Sequence, residues 1–136
     1  MTSRLRDPKS GFGTRLLAGV FTWLGLAIVT VLSGCHSSHI EVAVENRTGA
    51  PIRLLEVDYP SASFGSDALQ DGATFHYRIQ VQGYGQLKVQ YVSGNGHQTQ
   101  INGPALAERQ EGNLEVKLLP GGKAEFRPHM SGPSAP

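Results

Sequence analysis

The chain has 136 residues, 39% of them hydrophobic, and a nearly balanced formal charge of +1. This length leaves room for one domain, and about 100 residues can bury a working core without disulfides or metals. The first 34 residues carry four basic residues against one acidic residue, whereas the rest carry eight against ten. The larger part therefore lacks the clustered Lys and Arg of nucleic-acid-binding surfaces, and we expect no nucleic-acid partner.

The N-terminal segment has three successive parts. Residues 1–15 are polar and positive, residues 16–32 carry no charge, and small residues then precede Cys35. A positive end, an apolar stretch and small residues before a cleavage point are typical of a secretory signal. Because the positive end stays on the cytoplasmic side while the apolar stretch inserts, residues 1–34 are predicted to form a cleaved signal helix.

The sequence around the only cysteine is more specific. Leu32, Ser33, Gly34 and Cys35 resemble the lipobox of bacterial lipoproteins, and a lone cysteine cannot form an internal disulfide. The resemblance implies a diacylglycerol thioether on Cys35, cleavage before it by signal peptidase II, and acylation of the new N-terminus. His36 follows, and it is not the Asp that resembles an inner-membrane retention signal. This favours the outer membrane, facing the periplasm.

An uncleaved single-span membrane protein of unknown role is the alternative for this segment. Residues 16–32 are at the short end of what can cross a bilayer as a helix. That alternative leaves the position of Cys35 unexplained. We therefore expect the mature protein to attach to the membrane through acyl groups on Cys35, since two or three chains hold a protein stably.

The mature chain is predicted to start with a short tether at residues 35–39. Apolar and polar residues begin to alternate at Ile40, and five extended residues reach roughly 17 Å. The folded domain should therefore lie close to the membrane surface.

The first half of the domain is predicted to consist of strands and turns. Adjacent Leu54 and Leu55 indicate a β-bulge in the second strand. Residues 60–66 are expected to be irregular or a short edge strand. The other elements, in order, are a strand at 40–44, a turn at 46–51, a strand at 52–59, a turn at 71–72 and a clear strand at 75–81.

The second half continues this pattern. Asn95-Gly96 is a favoured hairpin turn. Residues 128–136 are rich in Pro, Ser and Gly and are predicted to be a flexible tail. The other elements are strands at 87–91 and 98–101, a stop at 102–104, one helical turn at 105–110, a strand at 114–118, a turn at 120–122 and a strand at 124–126.

Seven or eight short alternating strands predict an all-β fold. We expect a small antiparallel β-sandwich, immunoglobulin-like or related, over residues 40–127. The cysteine pair and core tryptophan of antibody domains are missing, because Trp23 lies in the signal segment. The likeness is therefore to a fold class and not to a family.

Residues suited to catalysis or metal binding form no recognisable group. His36 and His39 are spaced like some metal ligands but lie in the tether, and His129-Met130 offers too few sulfur ligands for a soft-metal site. The carboxylates between 56 and 71 could run acid–base chemistry, yet nothing places them at a cleft. We predict no enzymatic activity, no metal and no cofactor.

Exposed aromatic residues are the remaining candidates for a binding surface. Tyr59, Phe64, Tyr84 and Tyr91 are considered, and Phe64 and Tyr84 are preferred because they lie in loop-like stretches. Packing in the core is the alternative for all four.

Two functions remain open for the mature domain. The first is a non-catalytic, lipid-anchored module that binds or assembles with another envelope protein, with strand addition at a sheet edge as one mode. The second is a lipoprotein that binds a glycan or another small molecule. An unpaired edge strand on a flat surface favours the first, whereas a cleft floored by Phe64 or Tyr84 favours the second.

Overall fold

A computed structural model describes residues 37–134, and within this range all regular structure is β. Residues 37–136 group as one compact unit, and the predicted signal helix at 1–34 lies outside the described residues. Within the described range, no helix has the length and apolar character needed to cross a membrane. The strands are β1 (Ile40–Asn46), β2 (Ile52–Tyr59), β3 (Ala62–Leu69), β4 (Thr74–Ile79), β5 (Tyr84–Val92), β6 (Gln98–Ala107), β7 (Glu111–Leu119) and β8 (Lys123–Ser131).

The strands form two four-stranded sheets, which confirms the predicted β-sandwich. One sheet has the order β4-β1-β7-β8 and the other the order β3-β2-β5-β6. Neighbouring strands are antiparallel except β1 and β7, which are parallel. The first two strands of immunoglobulin constant domains share a sheet, whereas β1 and β2 lie in different sheets here. The sandwich is therefore of the related kind.

The alternating apolar residues form the core between the sheets. Val42 and Val44 of β1 lie beside Leu114 and Val116 of β7, and all four are buried. Each aliphatic side chain buried in this way stabilises the fold by roughly 1.5–3 kcal/mol. The most fully buried side chains are Ile40, Ile52, Ile79, Leu87, Leu106, Leu114, Leu118, Val42, Val44, Val57, Val89 and Val116.

Strand β6 is longer than the sequence predicts. It continues through the expected stop at 102–104, and the expected helical turn at 105–110 is wrong for its first half. A register shift against β5 accommodates Gly103 and Pro104. Proline is tolerated because β6 is an edge strand, and the buried pair Leu106 and Ala107 keeps the strand on the core.

The last strand also extends beyond its predicted end. Residues 128–136 were expected to be a flexible tail after a domain ending at 127, but β8 runs to Ser131. Pro128 pairs with Leu114, and Met130 packs against the core. Residues 128–131 therefore belong to the sheet, since Met130 supplies the apolar contact that composition alone did not indicate.

Candidate functional site

The residues singled out in the sequence lie in different parts of the chain. Cys35 and the lipobox residues 32–34 are outside the described residues, so lipid attachment stays a prediction. Tyr84 is exposed at the start of β5, whereas Phe64 lies within β3 and is only 7% exposed. The expectation of an exposed loop aromatic at Phe64 is therefore wrong. The two residues are separated by β2 in the sheet and do not form one site.

A β-bulge in β2 places Leu54 on the surface. The register with β5 shifts between Arg53 and Glu56, so that Leu54 and Leu55 together lie opposite Tyr91. This confirms the bulge predicted from the adjacent leucines. Leu55 is buried in the core, whereas Leu54 is 64% exposed and has a φ of 51°. A left-handed backbone costs an L-residue roughly 1–2 kcal/mol, so Leu54 is an exposed apolar side chain on a strained residue.

The neighbouring strand β3 is shaped to accept this bulge. Gly65 pairs with Glu56, and a Cβ added at Gly65 would overlap the carbonyl oxygen of Leu55. Glycine is therefore required here by close backbone approach. An open groove of about 660 Å³ lies beside Leu54 and is lined by Leu54, Leu55, Glu56, Ser63, Phe64, Gly65, Ser66 and Asp67.

An aromatic cluster lies between the edge strands β3 and β4. The rings of Phe64 and Tyr77 stack with centroids 4.6 Å apart and planes 11° from parallel. Tyr59 and Phe75 each lie 6.2 Å from Phe64. This stacking explains why Phe64 is buried while Tyr77, which covers it, remains 44% exposed.

Strand β3 is the least protected of the four edge strands, which are β3, β4, β6 and β8. The edge strands β6 and β8 contain Pro104 and Pro128, which lack a backbone donor, and β4 carries a histidine and an arginine. Strand β3 has no proline and a single charge, at Asp67. The surface formed by β3, Leu54 and Tyr77 is termed the β3 side. It includes two of the three large hydrophobic residues that are exposed among residues 37–134.

A separate pocket of about 740 Å³ lies at the end of the sandwich where β1 ends. It is bordered by the β1–β2 turn, the β5–β6 hairpin and the β7–β8 turn, and it is termed the turn-end pocket. Its lining contains no Lys, Arg, Asp or Glu, and Tyr91 contributes a nearly buried side chain. The lining residues are Thr48, Ala50, Tyr91, Ser93, Gly94, Asn95, His97, Gln98, Thr99, Gln100, Leu119, Pro120, Gly121 and Gly122.

Asn46 connects the turns at this end of the sandwich. It is fully buried, and its Nδ2 donates to the carbonyl oxygens of Ala50 at 2.8 Å and Leu69 at 3.0 Å. Its Oδ1 accepts from the backbone N of Thr48 at 3.0 Å and from Thr48 Oγ1 at 2.8 Å. Asn46 is not among the candidate residues predicted from the sequence. The signal was an Asn followed two residues later by Thr, because Asn side chains bond the backbone two residues on in Asx turns.

The surroundings of Tyr59 in the aromatic cluster change its pKa. Burial raises the pKa of Tyr59 above its ordinary value, and the nearby Tyr77 phenol raises it further through charge repulsion. Tyr59 is therefore a neutral member of the aromatic cluster at physiological pH. Within residues 37–134, no three His, Cys, Asp or Glu side chains lie close enough together to hold a metal ion.

No protein-family model matches this chain, and no curated protein or solved structure matches it. The features of this chain that bear on its function are the β3 side, the turn-end pocket and the N-terminal sequence pattern.

Proposed function

We propose that this chain is a lipid-anchored envelope protein without catalytic activity, which binds another envelope protein through the β3 side. The observation that carries this proposal is Leu54, which is exposed and strained beside an unprotected edge strand. Folding alone gains nothing from an apolar side chain there. A binding partner that covers Leu54 would offset both its exposure and its backbone strain.

Strand addition is the mode of binding that suits this surface. An edge strand presents unpaired N–H and C=O groups, and an extended segment of another protein can hydrogen-bond to them. Leu54 of β2 is separated from the added strand by β3, so the partner would reach it with side chains that extend across β3 into the groove beside Leu54. Tyr77 stacks on Phe64 of β3 and offers a second apolar contact. Backbone pairing would supply affinity, and these two apolar contacts would supply specificity.

The lipid anchor would hold this surface close to a membrane. The carbonyl oxygen of His39 accepts a hydrogen bond from Gly112 N at 3.1 Å, so the tether is already fixed to β7 four residues after Cys35. Four residues span at most about 14 Å. The end of the sandwich where β1 begins would then face the membrane, and β3 would run away from it. With His36 after the cysteine, we propose the outer membrane, facing the periplasm.

The anchor is tested by mass spectrometry of the N-terminal peptide from membrane-purified protein. The proposal predicts a peptide that begins at acylated Cys35, and a Cys35→Ala variant that retains its signal segment or is released from the membrane. A mature protein that still contains Met1 would instead support the single-span alternative.

The binding surface is tested by site-specific photo-crosslinking in intact cells. A photoreactive residue replaces Ala68, which is exposed on β3, and the matched control replaces Asn102, which is exposed on the opposite edge strand β6. We expect one discrete adduct with another envelope protein from position 68 and none from position 102. Leu54→Asn should reduce the adduct several-fold. Equal labelling from both positions, or an adduct only with a second copy of this chain, would contradict the proposal.

A further inference from the structure

We infer that the turn-end pocket is a second binding site, which takes a neutral, hydroxyl-rich ligand of the sugar class. About one residue in six of the chain is charged, yet none of the residues that line this pocket is Lys, Arg, Asp or Glu. A cationic ligand would find no carboxylate there, and an anionic ligand would find no Lys or Arg. The volume of about 740 Å³ falls within the usual range for sites that hold small molecules.

Several polar side chains without a hydrogen-bond partner among the described residues line this pocket. Every fully buried side-chain nitrogen or oxygen in residues 37–134 has a hydrogen-bond partner. The hydroxyl of Tyr91 bonds to no described residue, so the hydroxyl is part of the 2% of Tyr91 that remains accessible at the pocket. Thr99 pairs with Tyr91 and lies on the same face of the sheet, whereas Gln98 and Gln100 lie on the other face. All three are among the lining residues, and none of their side chains has a partner among the described residues. Together they offer donors and acceptors that match sugar hydroxyls.

The walls of the pocket are held in place before any ligand arrives. In the β5–β6 hairpin, Ser93 Oγ donates to Asn95 Oδ1 at 2.6 Å and His97 N donates to the same oxygen at 3.1 Å. On the other side, Asn46 fixes the β1–β2 turn through its bonds to Ala50 and Thr48. A preformed site loses less conformational freedom on binding, which favours a functional pocket over a loose surface depression.

With the proposed lipid anchor on Cys35, the pocket would lie at the end of the sandwich away from the membrane. The pocket lies where β1 ends, and the tether enters where β1 begins. Seven strand residues separate these ends by roughly 20 Å. The site is also distinct from the β3 side, since the two have no lining residue in common.

The test is calorimetric titration of the full chain in a detergent that has no sugar headgroup. The neutral probes are maltotriose and the trimer of N-acetylglucosamine, and trigalacturonate is the charged sugar of equal length. We expect saturable binding of at least one neutral probe with a Kd of about 1 mM or tighter, and no binding of trigalacturonate. Absence of binding by both neutral probes, or binding of the charged sugar alone, overturns the inference.

Matched variants locate the binding. Tyr91→Phe removes only the hydroxyl, and Gln98→Ala removes an exposed amide, so neither should disturb the core. The double variant that combines both substitutions should bind about tenfold more weakly, as expected for the loss of two hydrogen bonds. The controls Tyr84→Phe and Gln86→Ala make the same chemical changes outside the pocket and should leave affinity unchanged. Equal affinity of the Tyr91 and Gln98 variants and the wild type would place the ligand elsewhere and overturn the inference.

Discussion

Asn46 should contribute more to stability than any other polar side chain of the described domain. Among residues 37–134, Asn46 is the one buried residue that is polar. Its four side-chain hydrogen bonds join the β1–β2 turn to the end of β3. Asn46→Ala removes all four bonds. The single hydroxyl proton of Thr48, which lies within reach of both Asn46 Oδ1 and the carbonyl oxygen of Ala50, would then go to Ala50 at 2.9 Å, but the carbonyl oxygen of Leu69 would lose its Asn46 donor.

The size of the effect follows from these contacts. A hydrogen bond contributes about 0.5–1.5 kcal/mol net, and a buried acceptor left unpaired costs about 1–3 kcal/mol. We therefore expect Asn46→Ala to lower the free energy of unfolding by about 3–5 kcal/mol. Asn46→Asp keeps the oxygen that Thr48 bonds but replaces the donor with a charge facing two carbonyl oxygens, so it should be at least as destabilising.

Urea denaturation of residues 37–136, followed by far-ultraviolet circular dichroism, measures this loss. Asn102→Ala is the matched control, because Asn102 is exposed on β6, and it should change the free energy of unfolding by no more than about 0.5 kcal/mol. The slope of the transition should stay constant if the variants remain two-state. A loss below about 1 kcal/mol for Asn46→Ala would refute the role given to this network.

Three further predictions concern the β3 side and the aromatic cluster beside it. Gly65→Ala should destabilise the fold by about 2 kcal/mol or more in the same urea assay, because the added Cβ overlaps the carbonyl oxygen of Leu55. The control Gly94→Ala should be nearly neutral, because its Cβ would meet only ordinary contacts. Leu54→Asn should leave the free energy of unfolding unchanged or raise it by about 1 kcal/mol, because Asn tolerates the left-handed backbone. A clear loss of stability would show that the fold itself needs Leu54. The pKa of Tyr59 is raised because the folded state favours the neutral phenol. The stability linked to this shift is complete below the ordinary pKa of 10.0, and it is lost as pH rises through the higher pKa of the folded state. Phenolate absorbance should show a titration step above pH 10.0 that is missing in Tyr59→Phe. Titration of Tyr59 at or below pH 10.0 would contradict the effect assigned to burial.

The β-sandwich was predictable because alternation directly reports which face of a strand is buried. Ile40, Val42 and Val44 alternate in the sequence and are all buried in the structure. The adjacent leucines likewise indicated the bulge, since two successive apolar residues cannot both face the core of a regular strand. Which strands pair was not predictable in this way. The parallel contact of β1 with β7 joins segments more than sixty residues apart, and period-two patterns carry no information about partners.

The candidate sites were harder to predict because they depend on contacts between distant segments. Phe64 is buried because Tyr77 of another strand stacks on it, and Leu54 is exposed because Gly65 of β3 allows the bulge to project. The turn-end pocket combines three turns that are separate in the sequence. Local composition indicated that these segments were turns, but it gave no sign that they enclose a common space.

The most direct test of binding at the β3 side is hydrogen–deuterium exchange of the purified protein, compared with its complex with the partner identified by crosslinking. Strand addition requires that backbone N–H groups on the free edge of β3 become hydrogen-bonded in the complex. We expect slower exchange in the peptide covering Ala62–Leu69, with unchanged exchange in the opposite edge strand, Gln98–Ala107. Unchanged exchange in β3, or protection confined to β6, would contradict it.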